Sequence, residues 1–82
     1  MTRQDGLRML EEMLELRPQT LSGTERLRDL DAWDSLSTMV FIATVDRKLG
    51  VAIAGNRVVR CQTTGELCAL LEEIAAQTRL AA

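Results

Sequence analysis

Histidine is absent from this sequence. With it goes the usual base that turns a serine hydroxyl into a nucleophile at neutral pH, so a self-contained hydrolase lacks its first requirement. Tyrosine is absent too, and one Trp and one Phe are the only aromatics. Leucine, valine, isoleucine, alanine and methionine must therefore fill the core, a palette that suits packed helices better than sheets. Two cysteines, Cys61 and Cys68, are too few for a thiolate zinc site without histidine, and no metal site is expected. In a reducing compartment they read most simply as small buried apolar groups. Ten basic against twelve acidic residues leave a net charge of -2 with no Lys/Arg-rich run, so the electrostatic footprint of a nucleic-acid binder is missing. Arg57 and Arg60 alone make no patch. No stretch approaches the ~20 apolar residues of a membrane span, and the N-terminus lacks the basic-then-apolar layout of a signal peptide, so the expected address is the cytoplasm.

With 82 residues the chain is expected to be one domain, 1–82, whose core supplies roughly 3–5 kcal/mol of net stability. Thr2 can cap a first helix over about 3–16, with Asp5 favoured in its first turn and Gly6 weakening the start. Leu7, Leu10 and Leu14 recur at helical spacing with Met13 beside them, Glu11, Glu12 and Glu15 fall on other faces, and Pro18 closes the helix. A long connection over 17–34 is rich in turn formers but carries Leu21, Leu27 and Leu30, which a purely solvated linker would not need. These leucines are expected to pin it across the helices. Trp33 is expected to pack at its end as a half-buried anchor, its indole N–H near water or a carbonyl.

Asp34 reads as the N-cap of a second helix over about 35–49, its carboxylate accepting from the N–H of Leu36 or Ser37. Phe41, Ile42, Val45 and Leu49 form a buried stripe, Arg47 and Lys48 suit the last turn, and Gly50 stops it. Leu36 and Val40 project toward another face, as an exposed apolar patch or as second-rank core; the spacing leaves both open. Val51-Ala52-Ile53-Ala54 is expected to tuck, extended, into the core, followed by a short helical turn over about 56–60. Thr63 to Glu66 reads as a capping box opening a last helix over about 64–77, with Leu67, Leu70, Leu71 and Ile74 on one face and fraying from Gln77 to Ala82. The fold class is all-α, a small four-helix bundle of three main helices and a short third, with a long loop between the first two.

The order of these elements, with Trp33-Asp34-Ser35-Leu36 at the entrance of the second helix and Thr63-Thr64-Gly65-Glu66-Leu67 opening the last, resembles acyl carrier proteins and related peptidyl carriers over nearly the whole chain. Asp-Ser-Leu alone is a weak motif; its placement strengthens it. The Trp-Asp-Ser-Leu form looks like that of discrete carriers serving specialised pathways. The resemblance implies that Ser35 accepts 4′-phosphopantetheine from coenzyme A, delivered by a phosphopantetheinyl transferase using magnesium, and that the arm's thiol holds an acyl or aminoacyl group as a thioester. It implies a carrier and not an enzyme, a monomer working in fatty acid, polyketide or nonribosomal peptide biosynthesis. Its partners would be an acyl or aminoacyl ligase, a ketosynthase or an acyltransferase.

By the same resemblance Asp34 helps dock the transferase with its metal, while Leu36, Val40 and Asp46 meet partner enzymes. Housekeeping fatty-acid carriers resemble one another in a strongly acidic second helix. Here the matching stretch reads Val40, Asp46, Arg47 and Lys48, and only Asp46 keeps that sign, which points to partners with less basic, more apolar surfaces. An aliphatic core is compatible with fatty acyl, polyketide, aminoacyl and short hydroxyacyl cargoes. Read from cap chemistry alone, Ser35 also suits an unmodified helical interaction module. A helix-turn-helix DNA binder around Gly50 is opposed by the acidity.

Overall fold

The computed structural model describes the backbone of residues 1–81 and the side chains of residues 1–77. Among the described residues four helices follow one another, α1 (Arg3–Met13), α2 (Ser35–Leu49), α3 (Gly55–Val59) and α4 (Thr64–Ala81), with a single 3-10 turn, Leu27–Asp29, inside the long α1–α2 loop. The class is all-α. Among the described residues the only strand-like pairing is one isolated bridge, between Arg26 and Thr63.

α1 starts at a capping box, Thr2 accepting from the Asp5 N–H at 3.2 Å while the Asp5 carboxylate accepts from the Thr2 N–H at 3.0 Å. It stops at Met13, three residues before the expected end at 16. The reason is local: Glu15 takes a left-handed conformation, φ 58°, and the N–H groups of Glu15 and Leu16 turn back to the carbonyls of Glu12 and Glu11. This is a Schellman ending in which a glutamate occupies the position glycine prefers. Leu16 packs onto the core behind it, and Leu14, expected in the buried stripe, is only half-buried.

The core is built from Leu7, Met9 and Leu10 of α1, Phe41 and Val45 of α2, Val58 of α3, and Leu67, Cys68, Leu71 and Ile74 of α4. Gly6, which costs helix propensity, lies buried where α1 crosses α4: a Cβ there would come 3.0 Å from Cys68 Sγ. The close approach of the two helices explains the glycine. On α2 the buried set is Phe41, Thr44 and Val45, whereas Ile42 and Leu49 are only half-buried, a correction to the expected stripe. Gly50 closes α2 in the left-handed region, φ 69°, as its position suggested. The 51–54 segment has no regular structure, is extended at Ala54, and sinks Ile53 into the core.

α3 begins and ends one residue earlier than expected. α4 opens on the Thr63–Glu66 box, the Glu66 N–H donating to Thr63 Oγ1 at 3.1 Å and Glu66 Oε2 accepting from the Thr63 N–H at 3.0 Å and from the Gln62 N–H. It continues helical through Ala81, past the expected limit at 77 and the expected fraying, of which the part on Ala82 lies outside the described residues. No helix among the described residues is long and apolar enough to cross a membrane.

Candidate functional site

The head of α2 is set by Asp34, whose extended backbone and side-chain oxygen supply the cap: Oδ1 accepts from the Ser37 N–H at 2.9 Å. The Ser37 N–H, then the Ser37 hydroxyl, and more weakly the Leu36 N–H, hold the Asp34 carboxyl below its ordinary value against a smaller opposing effect of desolvation. Of the two serines beside it, only one is engaged. The Ser37 hydroxyl donates to the Ala32 carbonyl at 2.6 Å and lies 3.0 Å from Asp34 Oδ1, closing the loop onto the helix. Ser35 is exposed, and among the described residues its hydroxyl forms no hydrogen bond. The N–H groups of Ser35 and Leu36 head the helix, where intrahelical acceptors are lacking and an anion is favoured.

Trp33 sits behind this head, half-buried, its ring 6.1 Å from that of Phe41 at 70° in an edge-to-face contact. Through Phe41, which is fully buried, the tryptophan ties the loop end to the core.

Leu36 and Val40 are exposed, 66% and 40%, which settles in favour of a surface patch the choice their spacing left open. Met39, 67% exposed, joins them, and so does Ala43, giving an apolar stripe at i, i+3, i+4 and i+7 on the outside of α2. Sequence reasoning missed Met39, although its spacing from Leu36 was there to be read. Asp46 lies one turn beyond, exposed, with Arg47 and Lys48 exposed beside it.

Two further residues hold the site in place from a distance, and neither was expected to. Glu11 is buried; its Oε2 accepts from the Leu21 N–H at 2.8 Å, and its Oε1 accepts from the Gln19 N–H at 3.1 Å and from the Arg8 guanidinium. Desolvation pushes its carboxyl up, but the Leu21 N–H, Arg8 and the Gln19 N–H together outweigh that and hold it below its ordinary value. Glu25 does the same in the middle of the loop. It accepts from the Ser22 and Gly23 N–H groups, from the Ser22 hydroxyl and, at 2.7 Å, from the Thr64 hydroxyl. Desolvation again opposes these donors and loses, leaving the carboxyl at about 2. The expected anchors Leu21 and Leu27 are buried, with Leu30 half-buried, so the loop leading to Ser35 is held by leucines and carboxylates together.

Desolvation raises the Cys68 thiol to about 11, and desolvation followed by Glu66 raises that of Cys61, so both stay protonated at neutral pH. No group of three or more metal-ligating side chains forms among the described residues.

A family model described as phosphopantetheine attachment site matches residues 7–71, from the first turns of α1 through the loop, α2 and α3 into α4. No curated protein and no solved structure matches the chain.

Proposed function

Because the chain belongs to the phosphopantetheine-attachment family, whose members carry the arm covalently and are not enzymes, we propose that it is a carrier domain with Ser35 as the attachment residue. The observation that carries this is the contrast at the head of α2, where the Ser37 hydroxyl is spent on Ala32 and Asp34 while that of Ser35 is exposed and free of other described residues. The residues fit the group: an open hydroxyl stands on a helix end whose N–H groups and dipole favour a phosphodiester. Once attached, the arm supplies a thiol that holds an acyl or aminoacyl cargo as a thioester.

Asp34, ionised and fixed by Ser37, is positioned to help dock a phosphopantetheinyl transferase and its magnesium. Leu36, Val40 and Asp46 then offer an apolar face with one acidic corner to a ligase, ketosynthase or acyltransferase. Tethering raises the effective concentration of the thioester at each partner, and contacts along α2 select which partner is visited. Such contacts must be weak, since the carrier leaves after every step. The mixed charge at Asp46, Arg47 and Lys48 favours partners of a dedicated pathway with less basic, more apolar surfaces. A monomer in the cytoplasm suits this role.

Intact mass after treatment with coenzyme A, magnesium and a promiscuous transferase tests the assignment. The chain is expected to gain one phosphopantetheine increment, retained in Ser37→Ala and abolished in Ser35→Ala. A mass unchanged with several transferases would return the chain to the class of unmodified helical interaction modules. Equal use by a housekeeping fatty-acid ketosynthase and transacylase would end the dedicated-pathway reading.

A further inference from the structure

Two open clefts lie end to end along the seam between α1 and α2. The nearer, of about 190 Å3, is lined by Met13, Leu14, Leu36, Ser37 and Val40 with one carboxylate, Glu15, at its edge, and so starts beside Ser35. The farther, of about 250 Å3, shares Met13 and Val40 and adds Met9, Thr44, Arg47 and Lys48. Their shared wall is aliphatic and thioether, a surface that adapts its shape to an apolar chain. Their far end is cationic. Arg47 and Lys48 form no ion pair among the described residues, and a single carboxylate, Glu12, lines that cleft with them. The helix dipole favours cations in the last turn of any helix.

Length agrees with this layout. From residue 35 to residue 47 the helix rises roughly 18 Å, at about 1.5 Å per residue. An extended phosphopantetheine arm is of comparable length, so a cargo at its end reaches the farther cleft. Resting on the Ser35 reading, we infer that the α1–α2 seam shelters the loaded arm and that Arg47 and Lys48 favour cargo with an anionic far end, a half-thioester of a dicarboxylic acid. Apolar chain lies against Met9, Met13 and Val40, and the terminal carboxylate meets the two cations.

The test uses the full chain with 13C-methyl methionine, loaded by a promiscuous transferase from stable coenzyme A analogues whose thiol is replaced by an amine acylated with glutarate or, as the uncharged match in length, pentanoate. Intact mass is read first. A wild-type chain that gains no mass removes the Ser35 anchor and the inference with it. On loaded chains the Met9 and Met13 methyl resonances are expected to shift, with Met1 as a fixed control, and the glutaryl arm should shift them about two- to fivefold more than the pentanoyl arm, as an exposed cation–carboxylate pair permits. In Arg47→Gln/Lys48→Gln, folded to the same thermal midpoint, that difference should vanish while the pentanoyl shifts persist. Equal shifts from both arms, or Met9 and Met13 resonances unmoved in loaded chains, would overturn the inference and leave the Ser35 assignment standing.

Discussion

Glu25 in the interhelical loop and Thr64 at the head of α4 are separated by 39 positions and joined by a 2.7 Å hydrogen bond. The backbone repeats the link beside it, the Thr64 N–H donating to the Glu25 carbonyl at 3.0 Å and the Gly65 N–H to that of Gly23 at 2.9 Å. Removing the carboxylate leaves the fully buried Thr64 hydroxyl and two loop N–H groups without their acceptor. Glu25→Ala is expected to cost about 1–3 kcal/mol in urea unfolding.

The same carboxyl makes stability depend on acid. Folded, Glu25 binds its proton only near pH 2, whereas in the unfolded chain it does so near 4.5. Its contribution is complete above the unfolded value and is withdrawn as pH falls from about 4.5 toward 2. Unfolding free energy measured across that window should fall less steeply in Glu25→Gln than in the wild type.

Glu11 predicts a larger local effect. It is 2% exposed and gathers the Leu21 and Gln19 N–H groups and Arg8, so Glu11→Ala strands one buried donor, the Leu21 N–H, and frees two partly buried ones. A loss of about 2–3 kcal/mol is expected, with faster amide exchange at Leu21. An unchanged Leu21 exchange rate would remove Glu11 from its role as loop anchor.

Glu15 offers a gain. Its φ of 58° is strained for a residue with a Cβ, and nothing but the Schellman ending requires it. Glu15→Gly should stabilise by about 1 kcal/mol, read as a raised urea midpoint at unchanged slope.

Gly6 and Cys68 should be coupled. Gly6→Ala gains helix propensity but meets Cys68 Sγ at 3.0 Å. With Cys68→Ala in place the obstacle is gone, and the double variant should be more stable than the two single changes predict by addition. Strict additivity would show that the helices yield without cost.

Much of this architecture was legible because periodicity and caps are local signals. The Leu67, Leu70, Leu71 and Ile74 face, the Thr63–Glu66 box and the Gly50 stop each follow from residues within a few positions of one another. The head of α2 was legible too, since Asp34 names its acceptor by spacing. What escaped depends on contacts between distant segments. Glu11 looks like any solvent-facing glutamate on a helical projection, because its donors belong to a loop backbone that carries no pattern. The early end of α1 escaped for a related reason: a left-handed glutamate leaves no compositional mark, and Pro18 offered a more visible stop. Met39 falls off the buried stripe, and an apolar residue on an outer face carries no periodic signal of its own.

Both carboxylate anchors bind the loop to α1 and α4, and neither reaches α2. That helix is held chiefly by the buried side chains of Phe41, Thr44 and Val45 and by the Trp33–Phe41 contact. A helix without such fasteners is the member expected to yield first under load, while α1, the loop and α4 stay buckled together. In hydrogen exchange, amides of α2 should tire before those of α1 and α4, and a handoff between enzymes would then cost the protein only a flexing of that one member.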